Sequence, residues 1–173
     1  MKKIMSFFVA LIFVIACQAQ DAAEEYAKTG QEKLEEGNYK AAIKYFTKAI
    51  KLIPDYEYLY KSHFGRGYAK FMIGDFKGAN LDFGKAIKIY PNNPDVYFWR
   101  AYTKYKLKKK PGSEIVDYDR AILLRPNYPE AFFNRGWSKW DLGKKDQACM
   151  DWQEAFNLGY LEAEKPLKDH CGF

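Results

Sequence analysis

GNYKAAIKYFTKAIKLIP, residues 37–54, and GDFKGANLDFGKAIKIYP, residues 74–91, are two versions of one pattern. Glycine opens each, alanines and an aromatic recur at matched offsets, and proline closes. SEIVDYDRAILLRP (113–126) and GKKDQACMDWQEAFNLGY (143–160) are further copies. The segment ahead of each copy also recurs, as FGRGYAKFMIG (64–74), WRAYTKYKLK (99–108) and NRGWSKWDLG (134–143), with AKTGQEKLEEG (27–37) as a fainter version. Self-similarity at this spacing marks a repeat architecture, in which each unit buries its apolar face only against its neighbours. The closing prolines, Pro54, Pro91 and Pro126, lie 37 and 35 residues apart.

The positions that agree follow a physical logic. Gly30, Gly67, Ala101 and Gly136 put a small residue where the two helices of a unit cross. Ala42, Ala79 and Ala148 supply a second small position, followed by the rings of Phe46, Phe83, Tyr118 and Trp152 and then by Ala49, Ala86, Ala121 and Ala155. Small residues allow helix axes to approach at the short end of about 8–10 Å, and the aromatics fill the space beside them. Proline ends the second helix of each unit.

This pattern resembles the tetratricopeptide (TPR) repeat, W-x2-L-G-x2-Y, then A-x3-F, then P. The resemblance implies an all-α, right-handed α-solenoid of about four helix-turn-helix repeats, at residues 23–56, 60–93, 94–128 and 129–160. A capping helix over 161–171 is expected to cover the last apolar face, although Pro166 sits awkwardly within it. Two departures stand out. Three extra residues lie around 57–59, and the third repeat carries Pro111-Gly112 in its hairpin and Glu114 in place of the small alanine, which predicts a looser turn.

Three repeats replace the family's leucine with Arg66, Arg100 and Arg135, and the same three carry Asp82, Asp117 and Asp151 before the second-helix ring. The positions lie at similar distances on either side of the turn, so antiparallel packing predicts three partly buried, bidentate ion pairs: Arg66–Asp82, Arg100–Asp117 and Arg135–Asp151. Lys33, Lys70, Lys104 and Lys139 recur one turn further on. They read either as a basic ladder for anions or as snorkelled stems joining the pairs.

In TPR proteins the concave surface is lined by the first helix of each repeat. Its fifth, ninth and twelfth positions correspond here to Phe64, Tyr68 and Phe71, to Phe98, Tyr102 and Tyr105, and to Phe133, Trp137 and Trp140. All are aromatic, whereas the first repeat has Ala27, Gln31 and Leu34, a rim. Rings of roughly 150–250 Å² each cannot all stay exposed when the largest apolar patch of a monomer is about 300–600 Å². Some must be core, and the rest form a sticky trough with Lys61, Asp95 and Glu130 at its edge. The chaperone-tail type of TPR grips a carboxylate at positions that hold aromatics here, so that role is not expected.

Lys2 and Lys3 precede an apolar run from Ile4 to Ala16 that is too short to cross a hydrocarbon core of roughly 30 Å, and it reads as a signal peptide over residues 1–19. Val14-Ile15-Ala16-Cys17 resembles the bacterial lipobox, with lipidation of Cys17. Ordinary cleavage after Ala19 is the alternative, leaving a soluble periplasmic or secreted chain. The TPR domain occupies 21–173. Without the two lysines the chain has 26 basic and 22 acidic residues, a bias of +4 that does not argue for nucleic acid.

Cys149 and Cys171 lie 11 residues either side of Tyr160, where the last hairpin turns, so in an exported chain they are expected to pair as a disulfide, with two buried thiols as the alternative. His63 falls at a core position and His170 near the end. No zinc spacing, Gly-rich phosphate loop or nucleophilic constellation is evident, so no cofactor, metal or catalysis is expected. The expected function is an envelope scaffold holding a partner protein or peptide in an aromatic concave groove. The alternative is a structural lipoprotein subunit of an envelope or outer-membrane assembly.

Overall fold

The structure, a computed structural model, describes residues 2–52, 56–108 and 110–172, with side chains over 18–52, 58–108 and 110–172. The side chain of the expected lipidation site, Cys17, and those before it lie outside the described side chains. Among the described residues the fold is all-α helical repeat, with no strand and no helix long and apolar enough to cross a membrane.

The chain divides into two compact units, 1–75 and 76–173. The first contains α1 (Lys2–Glu35), α2 (Tyr39–Leu52) and α3 (Tyr56–Met72). The second contains α4 (Phe76–Ile89), α5 (Pro94–Leu107), α6 (Ile115–Leu124), α7 (Pro129–Asp141) and α8 (Lys145–Asn157), then a 3₁₀ turn at Leu161–Ala163 and α9 (Glu164–His170). In the first unit α1 packs on α2 and both pack on α3. In the second, each helix from α4 to α9 packs on the next in chain order.

Local chemistry sets the helix ends. Pro94 and Pro129 occupy the first turns of α5 and α7, where a missing N–H costs nothing, and Asn93 Oδ1 accepts from the Asp95 amide at 2.8 Å. After α7, Gly143 adopts φ +75°, and the Lys144 amide reaches back to the Lys139 carbonyl at 2.9 Å. In the third repeat Lys108 takes the corresponding left-handed conformation at φ +50°, which is strained for a side-chain-bearing residue. The buried Glu114 then steadies the loop, its Oε1 accepting from the Gly112 amide at 3.1 Å. The oddity at Glu114 is therefore a local cap. Pro166 falls in the first turn of α9, a position that needs no intrahelical donor.

The core is built from rings set on small residues. Ala42, Ala49, Ala79, Ala86, Ala101, Ala121, Ala148 and Ala155 are all at 0% exposure, as are Tyr118 and Trp152, with Phe46 at 2%. The approach is very close at Gly136, where an added Cβ would lie 2.5 Å from Trp152 Nε1 and 2.7 Å from Cδ1. Only glycine admits that indole. By contrast, Gly84, within α4, has nothing within 4 Å of an added Cβ.

These two glycines should respond in opposite directions. Gly136→Ala is expected to lower unfolding free energy by about 1–3 kcal/mol through overpacking. Gly84→Ala should leave it unchanged or raise it by up to about 1 kcal/mol through helix propensity. Urea denaturation of the two variants checks this contrast, and equal effects would remove the close-approach argument.

Candidate partner-binding surface

The ion pairs of the second unit are wider than the spacing predicts. Arg100 Nε and Nη2 donate to Asp117 Oδ2 and Oδ1 at 2.8 and 2.5 Å, and Lys104 Nζ lies 2.7 Å from Oδ2. One repeat on, Arg135 Nε and Nη2 donate to Asp151 at 2.9 and 2.6 Å, and Lys139 adds a contact of 2.7 Å. Each carboxylate is about 95% covered and holds both cations of its repeat. In the second unit the lysines of the ladder, Lys104 and Lys139, are thus committed to structure, while in the first unit Lys33 pairs with Glu36 at 2.7 Å. The expected Arg66–Asp82 pair has one member in each unit. Within the first unit, Arg66 Nη1 donates to Thr47 Oγ1 at 3.1 Å.

Arg135 Nη1 also donates to Asp119 of α6 at 2.6 Å, a partner that the sequence reading does not identify. The guanidinium loses hydration in this setting, yet its hydrogen bonds and charge attraction to Asp151 and Asp119 outweigh that loss and raise its pKa above the usual arginine value. A second network stands at the start of α5. Arg125 grips Asp95 through two bonds of 2.9 and 2.8 Å, and Tyr128 Oη donates to Asp95 Oδ1 at 2.9 Å. Burial, with Asp95 beside it, pushes the Tyr128 hydroxyl well above the ordinary phenol range. Asp95 therefore joins the start of α5 to the segment between α6 and α7.

The nine candidate rings separate into distinct environments. Phe98 is only 8% exposed, with Tyr118 at 6.0 Å and Tyr128 at 5.1 Å between ring centres. It belongs to the core and cannot line a groove. The reason is geometric, since the fifth position of α5 faces both the second helix of its own repeat and the start of the next. Trp137 and Trp140 lie against Trp152 at 4.9 and 5.6 Å, and His170 of α9 stacks on Trp140 at 4.5 Å. Both indoles are thereby engaged by the closing segment.

Tyr102, Tyr105 and Phe133 are half-buried. Tyr102 stacks on Phe98 at 6.3 Å and carries Lys106 Nζ 5.0 Å from its ring centre. Tyr105 Oη donates to Asp141 Oδ2 at 3.0 Å, linking α5 to α7, and burial followed by this bond pushes its pKa up to about 12. Phe133 meets Tyr160 at 5.0 Å. In the first unit Phe64, Tyr68 and Phe71 are also half-buried along α3, with Phe64 stacked on Tyr60 at 6.4 Å. Each unit thus carries first-helix rings that the core covers only in part.

Cys149 and Cys171 are joined, with S–S 2.03 Å and Cα–Cα 5.8 Å, tying α8 to the end of α9. His63 is buried at 5%. Among the described residues no group of His, Cys, Asp and Glu side chains could hold a metal ion.

Helix pairs with small-residue crossings, recurrent ring wedges and glycine turns define an all-α helical-repeat protein. Residues 23–56 and 130–158 each match the tetratricopeptide repeat family. Those two segments of the chain are therefore tetratricopeptide repeats. The chain's fold is shared by the crystal structure of MamA, with 21% identity and a TM-score of 0.74 over 85% of this chain and 84% of that one. YrrB, described as a TPR protein with an unusual peptide-binding site, has 21% identity and a TM-score of 0.70 over 84% and 77%. The first TPR of Spaghetti, bound to an HSP90 peptide, has 24% identity and a TM-score of 0.66 over 72% and 95%. None of the curated proteins matches the sequence.

Two expectations follow. Asp117→Leu alone strands Arg100 and Lys104 and should cost about 2–3 kcal/mol, at the low end for broken buried pairs because both cations keep some solvent. The double variant Arg100→Leu/Asp117→Leu should cost clearly less in the same urea titration, and equal losses would dissolve the pair. Replacing Cys149 and Cys171 with serine should remove about 3 kcal/mol, given the 22-residue separation, and should shift Trp emission as α9 loosens beside three indoles. Unchanged stability together with unchanged emission would count against a structural role for the bond.

Proposed function

We propose that the chain is a non-catalytic scaffold of the bacterial cell envelope that holds a partner protein or peptide against the first helices of its repeats. The observation that carries the reading is the excess of rings on those helices. Phe98 is taken up by the core, yet Tyr102, Tyr105, Phe133, Trp137 and Trp140 in the second unit, and Phe64, Tyr68 and Phe71 in the first, remain partly open. Tyrosine and phenylalanine offer large contact area at little loss of rotamer freedom, and partly solvated rings of this kind anchor apolar segments of peptides. The fold supports the same reading, since it is shared with YrrB and with the peptide-bound TPR of Spaghetti.

The envelope location is supported by the basic-then-apolar leader and the lipobox-like residues 14–17, and by a Cys149–Cys171 bond suited to an oxidising compartment. Acylation of Cys17 would tether the chain to a membrane, whereas cleavage after Ala19 would release it. Neither nucleic acid nor a cofactor enters the proposal.

A photo-crosslinking amino acid placed at Tyr102 should trap a discrete partner in intact cells. The same group at Leu123, a 68% exposed residue of α6, should not. Capture at both positions alike, or at neither, would contradict binding along the first helices. Mass spectrometry of the mature N-terminus, with Cys17→Ser for comparison, distinguishes the lipidated from the released form.

A further inference from the structure

The repeats contain an internal comparison that singles out Arg100. The residue two positions after the second-helix aspartate lies 16 residues before the next repeat's arginine, and there Asp119 accepts from Arg135 Nη1 at 2.6 Å. In the first unit the equivalent position is Thr47, which accepts from Arg66 Nη1 at 3.1 Å across 19 residues, the same interval lengthened by the three extra residues near 57–59. For Arg100 the equivalent position is 84, again 16 residues earlier, and it is glycine. Gly84 has no side chain to accept a hydrogen bond, and nothing occupies the space where its Cβ would be.

The charge balance points the same way. In the fourth repeat, two cations, Arg135 and Lys139, meet two carboxylates, Asp151 and Asp119. In the third, Arg100 and Lys104 share Asp117 as their one ion-pair partner, the buried Glu114 being turned to the Gly112 amide. A further cation is close by. Arg100 and Arg120 both lie against the ring of Tyr97, at 5.8 and 5.9 Å from its centre, and among the described residues Arg120 has no carboxylate partner. Lys88, one turn beyond Gly84 on α4, is exposed. Tyr97 is held by its own hydroxyl, which donates to the Pro91 carbonyl at 3.0 Å, so the ring that both guanidinia approach is fixed.

The geometry points to an anion-binding notch between α4, α5 and α6, in which Arg100 Nη1 and Arg120 receive a carboxylate or phosphate oxygen in the space that Gly84 leaves open. A guanidinium presents several donors in a rigid fork, and two of Arg100's are already fixed on Asp117, so a further oxygen meets a pre-oriented donor. The ligand is a partner's acidic side chain or a phosphate group. The site uses the flanks of the second helices α4 and α6, and it does not depend on the rings proposed to hold a partner on the first helices.

The test is an NMR titration of the full chain, following the guanidinium Nε–Hε signals of Arg100, Arg120 and Arg135. Inorganic phosphate and acetate are added separately at constant ionic strength, balanced with chloride. Both Arg100 and Arg120 should shift saturably while Arg135 stays fixed, and the tighter of the two anions identifies phosphate or carboxylate as the natural group. Gly84→Asp, which restores the internal acceptor seen at Asp119, should weaken the response at least about tenfold. Gly84→Ala, which adds bulk without charge, should keep it within about twofold, since a neutral methyl group neither supplies nor removes a charge-assisted bond. Parallel movement of Arg135, no saturable shift of Arg100, or a Gly84→Asp response equal to that of the native chain would overturn the proposal.

Discussion

The structure depends on a ring from the second helix of a repeat being seated on a small residue of the first. Trp152 on Gly136 shows the constraint within one repeat, with no room for a methyl group between them. Phe46 meets Gly30 of its own repeat in the same way, 2.9 Å from where a Cβ would stand, and also Gly65 at the start of the next, at 2.4 Å. The seat brings the helix axes close, and close axes allow the arginine and lysine of one helix to reach the aspartate of the other. They also turn the remaining first-helix rings toward the surface. Each later feature of the repeat follows from that approach distance.

The buried carboxylates show how such a seat limits chemistry. Asp117 and Asp151 are nearly covered, and each is held by an arginine and a lysine. A covered charge requires this degree of pairing, and breaking it exposes the desolvation cost of the partners left behind. The recurrent cations of the second unit therefore define register within each repeat, and only where a repeat lacks its outer acceptor, at Gly84, does a cation have capacity left over.

Much of this was legible in the sequence because repeats carry their own controls. The small-residue and ring positions agreed in four copies, so the helix pairs and their crossings could be placed. The Arg–Asp spacing could be read because antiparallel hairpins translate sequence offset into contact. The fate of individual rings could not. Phe98 and Phe133 share a repeat position, yet Phe98 meets Tyr118 and Tyr128 and is buried, while Phe133 remains half-open beside Tyr160. That difference lies in neighbours contributed by other repeats and by the chain end, which a periodic pattern does not register. Asp119 was missed because a contact between repeats has no signal within one repeat, and the role of His170 because it belongs to no repeat at all.

The ring-on-seat relation can be measured as a coupling energy. A double-mutant cycle combining Gly136→Ala with Trp152→Phe, followed by urea unfolding, isolates it. A smaller ring makes room for the methyl group, so the two changes together should cost less than their sum by about 1 kcal/mol or more. Strictly additive losses would mean that the indole and the glycine are independent, and the account of how these repeats are held together would fail.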